Sequence, residues 1–204
     1  MSVFLLTSTG FHTEEIKKAF LNKIDGTIHH LKVSIITTAS PLKELNTYAQ
    51  KALKDFKEMA FKHIDFVDVE YDDPKILLRS NVIYLNGGNP FHLLFHMKRS
   101  GSEKIFKQLS EQNTFFVGVS AGAIILGPTL QLVHHFTPEM NNLHLKDLSC
   151  LNLVDQIVFP HYGREDLFED RMGRTIEERV SAFENLHNCD VHRIRDDQFI
   201  LIDR

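Results

Sequence analysis

Cysteine is scarce in this chain, because Cys150 and Cys189 are the only two among 204 residues. Two cysteines do not make a disulfide framework, and such sparse use is typical of proteins in a reducing compartment. The amino-terminal run VFLLTSTGF is too short for a membrane span and lacks the preceding positive charge of an export signal. These absences predict a cytoplasmic protein with no membrane partner, in which VFLLTS forms a first strand.

The chain also lacks an excess of positive charge. It carries 23 Lys and Arg against 27 Asp and Glu, a formal net charge of −4, and no basic tract. A general nucleic-acid-binding protein needs a basic surface, so this balance argues against a nucleic-acid partner. The phosphate-binding patterns GxGxxG and GxxxxGK[ST] are absent as well, and no cofactor is predicted.

No repeat, low-complexity tract or linker divides the sequence, which is long enough for one substantial core. We therefore predict a single domain over residues 1–204. Near-continuous apolar runs of strand length alternate with helical patterns, which indicates a mostly parallel sheet covered on both faces. Residues 128–150 have weak periodicity and are predicted to be loop-rich. The last segment, VHRIRDDQFILID, predicts a terminal hairpin.

A serine between two glycines, in the stretch GVSAG, is the clearest candidate for chemistry. A strand-like apolar run precedes it, and AGAII, which suits the first turns of a helix, follows it. Gly118 and Gly122 would let strand and helix approach closely while Ser120 is held strained and exposed. The pattern predicts a nucleophile elbow. A tight turn without a chemical role is the alternative.

A serine nucleophile needs a base within hydrogen-bond reach. Of twelve histidines, His161 follows the apolar run QIVFP, so it is expected where a strand leaves the sheet, at the same edge as Ser120. A partly exposed residue at a strand end, without a catalytic role, is the alternative interpretation of His161.

The nucleophile also needs donors for the oxyanion that it creates. The turn NGGN at 86–89 follows the strand VIYLN and is expected to direct backbone N–H groups to the same edge, beside the N–H of Ala121. Asn89, in that turn, is predicted to contact the substrate. The alternative is that NGGN only connects a strand to a helix.

Two histidine pairs have spacings that raise the question of a metal. His92 and His96 lie four residues apart on a predicted helix, and His134 and His135 are adjacent in a predicted loop. No cluster of carboxylates and cysteines accompanies either pair in the sequence, and histidines at i and i+4 more often line a helix. The sequence therefore predicts no metal site.

Three motifs, YLNGGNPFHLL, VGVSAGAIILGP and LVDQIVFPHYGRED, together resemble peptidase family S51, the group that includes dipeptidase E and, more distantly, cyanophycinase. Their order and spacing match that family, and the resemblance spans nearly the whole chain. It implies a three-layer α/β/α sandwich with a mostly parallel sheet, like class I glutamine amidotransferases. It also implies Ser120 as nucleophile, His161 as base, and Gly88 and Ala121 as backbone donors of the oxyanion hole.

Two features depart from dipeptidase E. The acidic third member of the family's triad is usually a glutamate near the carboxyl terminus, where this chain has RDDQ at 195–198. An ungapped match favours Asp196, with Asp197 and two acids just downstream of the histidine, Glu165 and Asp166, as alternatives. The acidic NDMP-like stretch after the serine helix is replaced by QLVHHFTPEMNN. A requirement for an N-terminal aspartate is therefore not predicted.

The resemblance implies a serine exopeptidase that hydrolyses short peptides through an acyl-enzyme, as a monomer or a homodimer. One alternative is an esterase-like α/β hydrolase, whose triad runs Ser, Asp or Glu, His along the chain; here the best histidine precedes the best acid. The other is a non-catalytic, amidotransferase-like binding module. Amide transfer itself needs a cysteine at the elbow, where this chain has Ser120.

Overall fold

The fold is described from a computed structural model of residues 1–24 and 26–204. The strands of this part of the chain are β1 (Val3–Thr7), β2 (Lys32–Ile36), β3 (His63–Val67), β4 (Val82–Leu85), β5 (Phe115–Val119), β6 (Ile157–Pro160), β7 (Val191–Ile194) and β8 (Phe199–Asp203). The α-helices are α1 (Glu14–Leu21), α2 (Thr47–Glu58), α3 (Pro90–Ser100), α4 (Ser102–Ser110), α5 (Ala121–Leu126), α6 (Gln131–Phe136) and α7 (Ile176–His187). Short 3₁₀ turns lie at Ile28–His30, Lys43–Leu45, Pro74–Arg79, Pro138–Met140 and Glu165–Leu167.

The large sheet has the strand order β3-β2-β4-β5-β1-β8. Strands β1 to β5 are parallel, and β8 lies antiparallel to β1 at one edge. Successive side chains of a strand point to opposite faces, so Phe4 and Leu6 pack in one apolar cluster with α3, α4 and α5. Leu5 packs in another with α1 and α2. The predicted mostly parallel sheet and three-layer α/β/α class are confirmed.

A second, smaller sheet pairs β6 with β7 in parallel. It packs against α6 and α7 in a third apolar cluster, which includes Phe136, Phe159 and Phe183. The predicted terminal hairpin is wrong, because β7 pairs with β6 whereas β8 pairs with β1. The edge of β1 would otherwise present unpaired backbone groups, and β8 covers it.

The segment 128–150 contains more regular structure than the loop-rich prediction allowed. Helix α6 and the turn Pro138–Met140 lie within it. A helix of six residues is too short to show a clear 3.6-residue period, which explains the difference. Among the described residues, no helix has the length and apolar character that crossing a membrane requires.

Candidate active site

Ser120 lies at the corner between β5 and α5, in a backbone conformation with φ 49° and ψ −111°. Positive φ is strained for a residue with a side chain, and neighbouring glycines permit the close packing that maintains it. A Cβ on Gly118 would lie 2.7 Å from Ala123 Cα, and one on Gly122 would lie 2.2 Å from the carbonyl oxygen of Leu85. The corner is therefore compatible only with glycine at both positions.

His161 lies directly after β6 and faces the serine. Its Nε2 is 3.1 Å from Ser120 Oγ, and its Nδ1 is 2.8 Å from Asp196 Oδ1. A histidine whose Nδ1–H donates to a carboxylate has Nε2 free to accept a proton. The structure thus brings these three predicted residues into one hydrogen-bonded series.

Asp196 follows β7, and further contacts hold it at His161. Its Oδ2 accepts a hydrogen bond from Arg164 Nη1 at 3.3 Å, and its carbonyl oxygen accepts one from Thr9 Oγ1 at 2.8 Å. Asp197 is exposed and lines a different surface, beside Glu15 and Phe199. Of the two adjacent aspartates, Asp196 is therefore the one that contacts the imidazole.

The acids downstream of the histidine have other partners. The Glu165 carboxylate accepts the backbone N–H of Ile176 at 3.0 and 3.1 Å. Asp166 accepts two hydrogen bonds from Arg164, which lower the pKa of that carboxyl group. Within the described part of the chain, neither acid has a hydrogen bond to His161.

The turn after β4 lies against the serine corner. A Cβ on Gly87 would lie 3.3 Å from Ser120 Cβ, and Gly88 has φ 142° with the Ala39 carbonyl oxygen 2.3 Å from its would-be Cβ. No acceptor among the described residues takes a hydrogen bond from the N–H of Gly88 or of Ala121. Both predicted oxyanion donors therefore retain an N–H group for a ligand.

Asn89 has a structural role that the sequence prediction did not include. Its Oδ1 accepts the backbone N–H groups of Phe91 and His92, at 2.9 and 3.1 Å, which caps α3. Its Nδ2 donates to the Met140 carbonyl oxygen at 2.8 Å. Asn89 is not among the described residues that line the two cavities beside Ser120 and His161. Asn89 thus caps α3, and its substrate contact stays a prediction.

A cavity of about 320 Å³ opens at Ser120 and His161. Lys51 and Arg164 give its wall positive charge, and the side chains of both are half exposed. Asn86 also lines it, with a side chain whose Nδ2 and Oδ1 are buried and have no partner among the described residues. Sequence reasoning missed these three residues, although Asn86 belongs to the NGGN turn.

A second, smaller cavity lies on the other side of Gly88, Ala121 and His161. Apart from these three residues and Thr137, all of its described lining residues are apolar. They come from α3, α5, α6, the Pro138–Met140 turn, β6 and the loop after β6. They are Pro90, Ile124, Leu132, Val133, Phe136, Met140, Val158, Phe159, Pro160 and Phe168. The site thus joins a polar cavity, lined by Lys51, Arg164 and Asp196, to an apolar one.

Away from the serine corner, the pair His92 and His96 has a carboxylate neighbour. Glu70 Oε2 lies 3.4 Å from His92 Nε2, and Glu70 Oε1 lies 3.6 Å from His96 Nε2. Burial opposes ionisation of Glu70, but hydrogen bonds from Lys43 and Tyr71 outweigh it and lower the pKa to about 2. The sequence shows no cluster of carboxylates and cysteines beside this pair, but the fold brings one carboxylate, Glu70, to it. Glu70 follows β3, which β2 separates from β4, the strand before α3.

Several known proteins are similar to this chain. The uncharacterized peptidase PM1590 of Pasteurella multocida is 32% identical over 143 residues, which cover 67% of this chain and 68% of that protein. The uncharacterized peptidase Lmo0363 of Listeria monocytogenes is 30% identical over 134 residues, 64% of this chain and 65% of that protein. Peptidase E of Streptomyces coelicolor is 26% identical over 135 residues, 66% of this chain and 54% of that protein. The matched part thus spans between about half and two thirds of these relatives.

Solved structures share the fold over almost the entire chain. A crystal structure of a candidate peptidase E protein from Listeria monocytogenes EGD-e has a TM-score of 0.73 at 21% identity and covers 100% of this chain and 99% of that one. A peptidase from an acI-B1 Actinobacterium has a TM-score of 0.70 at 15% identity, with 99% and 83% covered. The model of peptidase family S51 matches residues 3–204. The chain therefore belongs to peptidase family S51 and is a hydrolase of the serine-peptidase class.

Proposed function

We propose that this chain is a serine exopeptidase that hydrolyses short peptides through a triad of Ser120, His161 and Asp196. The observation that carries the proposal is the unbroken series Asp196 Oδ1, His161 Nδ1 and Nε2, Ser120 Oγ, with contacts of 2.8 and 3.1 Å. The carboxylate holds the imidazole in the tautomer that accepts at Nε2 and stabilises the imidazolium that forms.

The reaction proceeds by two acyl transfers. His161 takes the Ser120 proton as Oγ attacks the scissile carbonyl carbon, and the carbonyl oxygen gains negative charge. The N–H groups of Gly88 and Ala121 donate to that oxyanion. His161 then protonates the leaving amine, and the C–N bond breaks to leave an acyl-enzyme. Water, deprotonated by His161, releases the acyl group. The strained corner at Ser120 acts as the nucleophile elbow that exposes Oγ.

The polar cavity supports a preference for short peptides with a free carboxylate. Its volume of about 320 Å³ lies at the lower end of the range for small-molecule sites. Lys51 is paired with Asp55, and Arg164 with Asp166 and Asp196. Their half-exposed side chains keep further N–H groups that offer charge-assisted hydrogen bonds to a carboxylate. Asn86 offers a buried donor and acceptor that have no partner among the described residues, and a polar substrate group would satisfy them.

The apolar cavity supports an apolar residue on the acyl side of the scissile bond. It borders the two oxyanion donors, Gly88 and Ala121, and the base His161, so a side chain next to the scissile carbonyl can reach it. A carboxylate side chain placed there would lose its hydration without a cationic partner among the described lining residues. An aspartate at this position is accordingly not required.

A cytoplasmic location is part of the proposal. Cys150 and Cys189 are both free, which fits a reducing compartment. We propose no nucleic-acid or membrane partner and leave a monomer and a homodimer as the assembly states. Fractionation of cells that express the tagged chain tests the location.

Covalent labelling tests the catalytic proposal. A fluorophosphonate should modify the intact protein once, at Ser120, as measured by intact mass and peptide mapping. Ser120→Ala should abolish labelling, whereas Ser110→Ala, a serine on α4 remote from the corner, should label like the wild type. Absence of labelling would favour the binding module. Labelling at Ser120 with hydrolysis of nitrophenyl esters but of no peptide in a di- and tripeptide panel would favour the esterase.

A further inference from the structure

A cluster of two imidazoles and one carboxylate lies outside the proposed catalytic site. His92 and His96 are one turn apart on α3, and Glu70 lies in the loop after β3. One ligand atom from each residue can be chosen so that all three lie within 4.8 Å of one another. We propose that Glu70, His92 and His96 bind a divalent first-row transition-metal ion, with Zn²⁺ as the preferred ion.

The spacing of the ligand atoms fits a tetrahedral ion. Zn²⁺ bonds of about 2.0–2.1 Å to nitrogen and oxygen place neighbouring ligand atoms about 3.4 Å apart. Glu70 oxygens lie 3.4 Å from His92 Nε2 and 3.6 Å from His96 Nε2. The imidazole rings of the two histidines have centroids 4.4 Å apart. Because the two distances involve different oxygens of Glu70, and one ligand atom from each residue lies within 4.8 Å of the other two, binding requires the ligand atoms to approach one another by up to about 1.4 Å.

The donor set distinguishes between classes of metal. Imidazole nitrogens suit Zn²⁺ and its first-row neighbours, whereas Ca²⁺ and Mg²⁺ require mostly oxygen ligands. Two histidines and one glutamate supply three protein ligands, which leaves the fourth position of a tetrahedral ion to water. The side chain of His96 is 6% exposed and that of His92 is 29% exposed. The ion would thus enter from the side of His92 and bind against the buried side chain of His96.

Lys43 is the main competitor for the carboxylate. Its ammonium group contacts Glu70, and it also lies 2.9 Å from Asp68 Oδ2. When an ion occupies Glu70, Lys43 therefore keeps an anionic partner in Asp68. Its positive charge still opposes a nearby cation. Removing that charge should strengthen metal binding, an effect that an ion-pair network without metal function would not produce.

A bound ion would connect two elements that flank the serine corner. Helix α3 begins immediately after the Gly87-Gly88 turn, and Glu70 follows β3 at the edge of the sheet. Coordination would tie the first two turns of α3 to that loop and so stabilise the native state. The proposal does not depend on the peptidase proposal, because it makes no use of Ser120 or His161.

The test is Zn²⁺ binding to the full chain after removal of metals with a chelator. Calorimetry should show one Zn²⁺ per chain and no Mg²⁺ binding at the same concentration. Glu70→Gln, His92→Gln and His96→Gln should each weaken binding by at least the 10–100-fold that loss of an outer-shell partner costs. His134→Gln, which removes an exposed histidine of α6, is the matched control and should bind like the wild type. Lys43→Gln should bind more tightly.

Thermal denaturation is a second readout that needs no activity. At free Zn²⁺ about 100 times Kd, the Tm of the wild type should rise by about 5–10 °C, and that of Glu70→Gln should not. Circular dichroism of the metal-free proteins identifies any variant that fails to fold. If His96→Gln fails to fold, because His96 is buried, His92→Gln at the partly exposed position takes its place in the test. The proposal is overturned if the wild type binds no Zn²⁺, or if the three ligand variants bind as tightly as His134→Gln.

Discussion

At the scale of the residue, Ser8 connects three segments of the site through one hydroxyl group. It is buried after β1, where its Oγ accepts the His161 N–H at 2.9 Å and donates to the Ile194 carbonyl oxygen at 2.8 Å. Because Ile194 ends β7 two residues before Asp196, this hydroxyl positions the backbone on both sides of the His161–Asp196 contact. The sequence analysis did not identify Ser8, because its partners lie more than 150 residues away along the chain.

Ser8→Ala should lower kcat more than it changes KM. It leaves the His161 N–H without this partner, a loss of about 1–3 kcal/mol in stability. A displacement of the imidazole by about 1 Å can cost about 100-fold in rate. We expect a 10–100-fold fall in kcat and a lower urea midpoint, with Ser110→Ala as the control. A kcat equal to that of the wild type would show that other contacts suffice to position His161.

Asp196→Asn should lower kcat by about 10⁴, since an amide favours the wrong imidazole tautomer. Asp197→Asn should have little effect, because Asp197 is exposed and directed to another surface. Steady-state kinetics on one dipeptide substrate measure both variants side by side. The opposite ranking would assign the role to Asp197, and near-normal rates in both would mean that no acid at 196–197 is needed.

At the scale of the element, the contact between α5 and β4 determines the position of the serine corner. A Cβ at Gly122 would lie 2.2 Å from the Leu85 carbonyl oxygen and 2.6 Å from Leu85 Cβ. Backbone atoms of a central strand cannot retreat, so α5 would have to move away from the sheet. That movement would also displace the N–H of Ala121, which begins the helix.

Gly122→Ala should therefore destabilise the protein by at least about 1–3 kcal/mol and lower kcat together with labelling of Ser120. Urea unfolding and the rate of fluorophosphonate modification measure the two effects. Gly173→Ala is the control, because a Cβ there meets nothing within 4 Å and only the φ of 71° opposes it. Gly122 itself lies within α5 and has no positive φ. A loss of stability and labelling in Gly122→Ala no greater than that in Gly173→Ala would therefore contradict the packing explanation.

We expect helix α6 and the turn after it to influence substrate choice as well. They supply Leu132, Val133, Phe136 and Met140 to the apolar cavity, where dipeptidase E has an acidic stretch. We expect kcat/KM for Asp-X dipeptides to exceed that for Leu-X or Ala-X by much less than 100-fold, because the described lining residues of the cavity include no lysine or arginine to pair with a carboxylate side chain. A dipeptide panel with one common X measures this. A preference for Asp-X of 100-fold or more would contradict it.

At the scale of the whole molecule, the proposed triad is divided between two sheets. Ser120 follows β5 of the large sheet, whereas His161 and Asp196 follow β6 and β7 of the small one. The cluster that holds α6 and α7 against the small sheet includes Phe183, which is 1% exposed. We therefore expect the stability of this cluster to affect the contact between His161 and Ser120.

Phe183→Ala should lower the free energy of unfolding by about 3–5 kcal/mol, the cost of a large cavity in a core. Activity should fall as well, because His161 and Asp196 both depend on this packing. Leu186→Ala, on the same helix but 74% exposed, should change neither quantity appreciably. Urea unfolding measures the free energy of unfolding, and steady-state kinetics at low urea concentration measure the activity. Full stability in Phe183→Ala would show that the small sheet does not need the ring.

The sequence by itself determined the features that depend on short segments. The alternation of apolar strands and helices, the corner at Ser120, and the position of His161 after a strand were all readable, because each rests on a local period or a turn residue. The three motifs also identified the family over nearly the whole chain, as the match to residues 3–204 confirms.

The tertiary structure alone decided which distant segments meet. It separated β7 from β8, brought Asp196 and not Asp197 to His161, and placed Ser8 behind both. It also brought Glu70 to His92 and His96 across the sheet. These contacts follow from strand order and from the direction of single side chains. Long-range packing determines the strand order and the side-chain directions, and no local pattern in the sequence encodes these contacts.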